Sequence, residues 1–212
     1  MYDYYQSFDH LFSGERMKVD YDICVSARRC LVLIMAPHGG AIEPGTSQVA
    51  RQIAGDDYSL FLFEGKKTSG NWQLHIRSDN YELPQALTMA HKADWLITIH
   101  GCKNEDQVTL VGGRDTQLKQ RISEELTING FHVNTSSGIS LGGMSSKNIC
   151  NRNRRNVGVQ MELSNGQRRQ MFKDCRGKRR TEATEVFYSF CESIRSALMT
   201  TLHGTSQSFI SD

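Results

Sequence analysis

Two imidazoles and two carboxylates stand where this sequence could do chemistry. His38 and Glu43 lie in APHGGAIEPGT (36–46), His100 in ITIHG (97–101) and Glu162 in VQMELS (159–164). Each segment joins an apolar run to a polar group, and in open α/β sheets the groups at the carboxyl ends of strands converge on the crevice that takes the ligand. Gly39 and Gly40 let the chain fold back after His38, which brings Glu43 toward it. Two imidazoles and a carboxylate form a ligand set typical of catalytic zinc, with a fourth position left for water. Zinc lowers the pKa of such a water toward about 7, and a further carboxylate is then needed to carry its proton to the leaving amine. Glu162 fits that role. Gln160 and Glu162 point to one face of a strand, opposite Val159, Met161 and Leu163, and a Glu on so apolar a strand is costly to bury unless it faces a partner or a site. The same residues admit a plainer reading, in which the histidines satisfy backbone groups at strand ends and Glu43 is a solvated loop residue.

The elements that must position these groups alternate between strand and helix. They predict one α/β domain over 1–212: an open mixed, largely parallel sheet flanked by helices, with 1–20 and 203–212 peripheral. The clearest strand, 31–36, is a continuous apolar run stopped by Pro37 and two glycines, as suits a strand buried on both faces. Further strands are expected at 58–63, 74–77, 95–99, 108–111, 131–135 and 157–163. Helices are expected from Thr46, whose hydroxyl can cap, to Gly55, and over 82–92, 115–127 and 182–202. Val186, Phe187, Phe190, Ile194 and Leu198 recur at helical spacing in the last of these and mark its core face.

With 212 residues the chain can bury one good core. The net charge of +2 singles out no partner, although 147–180 is markedly basic. No apolar run approaches the roughly 20 residues that span a bilayer, and the N-terminus lacks a basic segment followed by an apolar one, so neither membrane insertion nor a secretory signal is expected. Six cysteines without a C-x-x-C pair argue against a structural zinc knuckle, and their expected state is reduced and cytoplasmic.

Several ordered blocks resemble the poly-γ-glutamate hydrolase family of bacteriophages and Bacillus-type bacteria: PHGGAIEPGT, SGNWQLHIRS (69–78), HGCKNEDQVTLVGG (100–113), NICNR (148–152) and GVQMELSNGQRR (158–169). The resemblance runs over about residues 21–198. It implies a zinc-carboxypeptidase-like α/β fold with one catalytic zinc ion on His38, Glu43 and His100, and with Glu162 as the base. The reaction implied is hydrolysis of an amide bond in γ-linked polyglutamate, an anionic capsule or slime polymer. The sequence departs from the family at HGGAIE, where an order closer to HAGGIE is expected, though the His-to-Glu spacing survives. Trp72 and Arg77 stand where smaller or neutral residues are expected, and the chain is richer in cysteine. These departures leave the chemistry standing and the substrate open.

A carboxylate-bearing substrate calls for arginine forks. Arg152 and Arg168, inside matched blocks, are the candidates, one of them also to stabilise the tetrahedral oxyanion. Asn148, Asn151 and Gln160 are candidates to orient the substrate. For Arg154, Arg155, Arg169, Arg176, Arg179 and Arg180 the expectation is a solvated basic face. His75 is either a supporting or substrate-contacting group or a strand histidine with a satisfied ring. His10, His91, His132 and His203 are expected to be structural or exposed. Ser47 and Ser164 lack a nucleophile-elbow pattern, and Cys102 reads as a packing residue. Two other functions fit parts of the sequence. One is a zinc amidohydrolase acting on small N-acyl amino acids or peptidoglycan γ-glutamyl bonds. The other is a phage nucleic-acid-binding protein using 147–180, a stretch whose lone aromatic, Phe172, makes a poor stacking platform. The expectation is a cytoplasmically made, phage- or prophage-encoded hydrolase, monomeric or a small homo-oligomer, that reaches its polymer through cell lysis.

Overall fold

In the computed structural model, residues 3–135, 141–173 and 182–208 are described. The chain runs α1 (Phe8–Gly14), β1 (Tyr21–Ser26), β2 (Val32–Gly40), α2 (Thr46–Ala54), β3 (Ser59–Gly65), α3 (Pro84–Ala90), β4 (Trp95–Gly101), β5 (Thr109–Gly113), α4 (Thr116–Ile128), β6 (Val133–Asn134), β7 (Val159–Leu163), α5 (Asn165–Gln170) and α6 (Glu185–Ser208). Seven strands form one sheet in the order β1-β3-β2-β4-β7-β5-β6. The four central strands, β3, β2, β4 and β7, are mutually parallel, while β1 and β5 pair antiparallel with β3 and β7. This is the mixed, largely parallel α/β sheet that the alternation of elements predicts, folded as a single domain. Among the described residues no helix is long and apolar enough to cross a membrane.

Both faces of the sheet are covered, which is why its central strands read as unbroken apolar runs. On one face Ile34, Leu62, Ile97 and Met161 pack against Val49 and Ile53 of α2, Leu118 and Ile122 of α4, and Phe190 and Ile194 of α6. On the other, Leu33, Met35, Phe61 and Phe63 pack under Tyr5, Phe8, Leu11, Tyr81 and Ala86. The N-terminal segment is therefore not peripheral. Phe8 sits edge-on to both Phe63 and Tyr81, with ring centroids 5.6 and 4.8 Å away, and an aromatic side chain removed from water in this way stabilises a fold substantially. The helix of this segment lay hidden in the sequence because only Phe8 and Leu11 of its seven residues are buried.

Other boundaries shift for local reasons. The strand expected at 74–77 does not form. Its backbone is spent elsewhere: the His75 N–H on Trp72, the Ile76 carbonyl on His38 and the Arg77 N–H on Asp3. Thr46 does not cap α2; it is the first helical residue, and its hydroxyl donates to the Glu43 carbonyl. The last helix begins at Glu185 and runs to Ser208, past the expected end, and residues 209–212 lie outside the described ones. The strand expected at 131–135 is only Val133–Asn134.

One irregularity in β2 decides the site. Ala36 pairs with Leu62 and Gly39 with Glu64, so three steps along β2 oppose two along β3. The extra residue is a β-bulge, which re-aims the side chains that follow it. Leu33 and Met35 face the Tyr81 side, and Ile34 and Ala36 face α2. Strict alternation would send His38 after Ile34 and Ala36 into the helix-packed core. The bulge at Pro37 turns it back, and the Pro37 carbonyl accepts a 2.9 Å hydrogen bond from the Tyr81 hydroxyl.

Candidate active site

His38, His100 and Glu162 sit at the carboxyl ends of β2, β4 and β7, and His100 pairs directly with Glu162 across the β4–β7 ladder. Glu43 reaches them from the loop after β2. Gly40, at φ +63°, makes that turn; a Cβ there would stand 2.5 Å from the Gly65 carbonyl oxygen. The Glu43 N–H then bonds the His38 carbonyl at 3.0 Å.

The polar atoms converge. His38 Nδ1 lies 3.1 Å from His100 Nδ1 and 3.2 Å from Glu43 Oε1, while His100 Nδ1 lies 3.8 Å from Glu43 Oε2. His38 Nε2 approaches the Ile76 carbonyl at 2.8 Å. A carbonyl only accepts, so this nitrogen carries the proton and Nδ1 is turned inward. The Gly101 N–H donates to Glu43 Oε2 at 2.8 Å and fixes the carboxylate between the two rings. Ligand atoms about 2.1 Å from a tetrahedral zinc stand about 3.4 Å apart; the two Nδ1 atoms and the nearer Glu43 oxygen of each ring stand within about 0.4 Å of that value. These residues therefore fit a zinc ion. His75 also offers a ring atom within 4.8 Å of His38 and Glu43, but its Nδ1 is bonded to Asp3 at 2.9 Å and its ring is stacked on His38 at 3.9 Å. Both histidines thus stand beside the His38–Glu43 pair, His75 stacked on the His38 ring and His100 facing it with Nδ1 toward Nδ1.

Charge is shared unevenly. Burial works against a charge on His38, yet the Glu43 carboxylate beside it prevails and holds its pKa above the ordinary value. Burial, and then the charge on His38, drives His100 down to about 3. Glu43 resists burial through His38 and His100 and sits at about 2. Glu162 goes the other way: burial and the neighbouring Glu43 charge push its carboxyl well above the usual range. Two carboxyls thus line one cleft with their proton affinities driven apart, an arrangement that can give two acidic groups separate roles.

A cleft of about 540 Å³ opens over these groups. A larger groove, about 640 Å³, runs along α4 from Thr116 to Thr135, but its titratable side chains are Lys119 and Glu124 and it holds no histidine. His38, Glu43, His100 and Glu162 line the first.

The family profile described as poly-γ-glutamate hydrolase matches residues 5–193. This chain belongs to the poly-γ-glutamate hydrolase family. As a member of it, the chain is an enzyme of the hydrolase class. It is 40% identical over 191 residues to the SPbeta prophage-derived protein YoqZ of Bacillus subtilis strain 168, covering 89% of this chain and 69% of that one. The structure of a bacteriophage poly-γ-glutamate hydrolase superposes with a TM-score of 0.92 at 30% identity, over 95% of this chain and 99% of that one. A zinc-free structure of YndL superposes with a TM-score of 0.90 at 36% identity, over 94% and 99% of the two chains.

Within this poly-γ-glutamate hydrolase family member, the polar residues of the matched blocks divide between cleft and scaffold. Arg168 does not reach the cleft as an oxyanion or substrate group. It is buried, and its Nε, Nη1 and Nη2 donate to the carbonyls of Leu163, Pro44 and Cys102 at 3.1, 2.8 and 2.9 Å. It thus ties together the residues just after Glu162, Glu43 and Gly101. Gly101 leaves room for it, since a Cβ there would meet the guanidinium carbon at 2.7 Å. Arg152 is also outside the cleft lining, paired with Glu82 at 3.0 Å. Asn151 is a scaffold residue, its amide donating to Gly143 and Ser145 and its oxygen accepting from Arg114 and Gly158. Asn148 and Gln160 do line the cleft, but they are linked: Asn148 donates to Gln160, which donates to Leu141 and, at 3.0 Å, to Glu162 Oε1.

The basic stretch is not a bare cationic face. Arg154, Arg155 and Arg169 pair with Asp94, Asp115 and Glu105, while Arg176, Arg179 and Arg180 lie outside the described residues. Ser47 accepts from the Gly40 N–H and Ser164 caps α5, and burial raises the Cys102 thiol, so none of the three is an activated nucleophile. Of the residues around this cleft, Ser78 and Asp79, and Asp3 behind them, carried no functional signal in the sequence, and Arg77 stood out only as a departure from the family. Arg77, Ser78 and Asp79 are brought in by the irregular segment 75–79, where Ser78 Oγ lies 3.5 Å from His100 Nε2 and Asp3 holds His75 and the Arg77 N–H. Asp3 reaches this segment from 72 residues away, beyond any spacing rule.

Proposed function

We propose that this enzyme hydrolyses γ-glutamyl amide bonds, with poly-γ-glutamate as substrate, using one zinc ion on His38, Glu43 and His100 and Glu162 as general base. The observation that carries the proposal is the convergence of two Nδ1 atoms and a carboxylate at 3.1 to 3.8 Å beside a second, buried carboxyl. Family membership supports the substrate.

Zinc, when bound, supplies Lewis acidity to the attacking water and the scissile carbonyl. The chain supplies the rest. The Ile76 carbonyl keeps the His38 proton on Nε2, so that Nδ1 offers its lone pair inward. The Gly101 N–H holds Glu43 in place. Gln160 grips Glu162 Oε1, so this carboxyl is aimed rather than free to swing. A carboxyl with raised proton affinity suits both halves of its task, taking the proton of the attacking water and delivering it to the leaving amine. The proposal includes synthesis in the cytoplasm and access to the polymer on lysis.

The test measures bound metal, then follows amines released from poly-γ-glutamate by wild type and Glu162→Gln. Wild type with zinc is expected to cut the polymer. The variant should keep zinc and lose about 100-fold or more in kcat. Absence of zinc, or an active variant, overturns the mechanism. Zinc without polymer cleavage moves the substrate to smaller γ-glutamyl amides.

A further inference from the structure

A polymer with one carboxylate per residue must enter a cleft whose own lining is acidic. Glu43, Asp79 and Glu162 all face it, and among the described residues Arg77 is the only lysine or arginine in that lining. The base of Arg77 is fixed: its N–H donates to Asp3 Oδ2 at 2.8 Å, and its neighbours Ile76 and Ser78 touch His38 and His100. Its tip is free to exchange partners. The side chain is 60% exposed, and its Nε and Nη2 meet the two oxygens of Asp79 at 3.0 and 2.5 Å. A guanidinium fork gripping both oxygens of a carboxylate is the geometry by which arginine recognises a carboxylate ligand.

We infer that Arg77 is the receptor for a substrate α-carboxylate flanking the scissile bond, and that Asp79 occupies it as an internal competitor until substrate arrives. Arg77 is a specificity residue, since segment 75–79 walls the candidate zinc site and places this fork in the same cleft as Glu162. Asp79 keeps the guanidinium oriented in the free enzyme and excludes neutral amides that cannot displace it. This rests on the γ-glutamyl reading above and extends it to the carboxylate beside the bond that breaks.

The test uses zinc-loaded Glu162→Gln protein, which binds without cutting, and a synthetic γ-glutamyl pentamer titrated by calorimetry. Adding Arg77→Met should raise Kd about ten-fold or more, the loss expected for a charge-assisted two-point contact, with zinc content unchanged. Adding Asp79→Asn should lower Kd about three-fold or more, because the competitor no longer holds the fork. Against a pentamer whose α-carboxylates are amidated, Arg77→Met should have no effect. Tight pentamer binding that ignores Arg77→Met, or that weakens in Asp79→Asn, overturns the assignment alone. No pentamer binding by any of these proteins overturns the γ-glutamyl reading and this inference together.

Discussion

On the side of the sheet covered by α2, α4 and α6, strands β4 and β7 present Ile97, Ile99, Val159, Met161 and Leu163, all 0% exposed. On the other side the same two strands present Thr98, His100, Gln160 and Glu162, none more than 5% exposed. Burial is equal, but it is achieved differently. The first side is held by dispersion and removal of apolar surface from water. The second is held by hydrogen bonds, through Asn148, Gln160 and the Arg168 tie, around carboxyls and imidazoles whose burial opposes folding. One side keeps the molecule folded, and the other spends that stability on groups poised for chemistry.

If the two sides are independent in this sense, their variants should separate stability from metal binding. The largest effect is expected at Ile99→Ala, which opens a cavity in the core on the helix-covered side of β4 and should destabilise by about 2–5 kcal/mol in denaturant unfolding, with zinc affinity unchanged. A fall in zinc affinity would show that the sides are coupled. Arg168→Met is next: the half-buried carbonyls of Pro44 and Cys102 lose the guanidinium donors and that of Leu163 keeps only the Cys102 N–H, a cost of about 2 kcal/mol, and zinc Kd should rise about ten-fold as the strand ends loosen. Unchanged zinc affinity would make Arg168 a stability residue only. The smallest effect, and of opposite sign, is expected for Glu162→Gln in the metal-free protein. The folded pKa of Glu162 is raised above its unfolded value of about 4.3. Its contribution is therefore fully present below that pH and is lost as pH rises toward the folded value. The variant escapes this loss, so it should match wild type near pH 4 and exceed it at pH 7. Equal stability at both pH values would remove the claim that this carboxyl is held against its preference.

Much of this was legible in the sequence. His100 and Glu162 could be placed because each ends an apolar strand, and period-two alternation puts Glu162 with Gln160 away from Val159 and Met161. The sheet followed from the same runs. The misread residues depend on distance along the chain. Arg168 looked like a substrate group, yet it bonds a carbonyl 124 residues away. Arg152 found Glu82 across 70 residues. The strand expected at 74–77 failed because its backbone is claimed by partners that no local pattern reveals. Local chemistry names candidates, and long-range hydrogen bonds decide which of them are spent.

The bulge at Pro37 makes the catalytic face a matter of parity. Substitutions in β2 leave the count of residues intact, so His38 keeps its side of the sheet whatever its neighbours become. Loss or gain of one residue before it reverses odd and even and would send the imidazole among Val49 and Ile53. The number of residues in this stretch thus matters to the site more directly than their identity does.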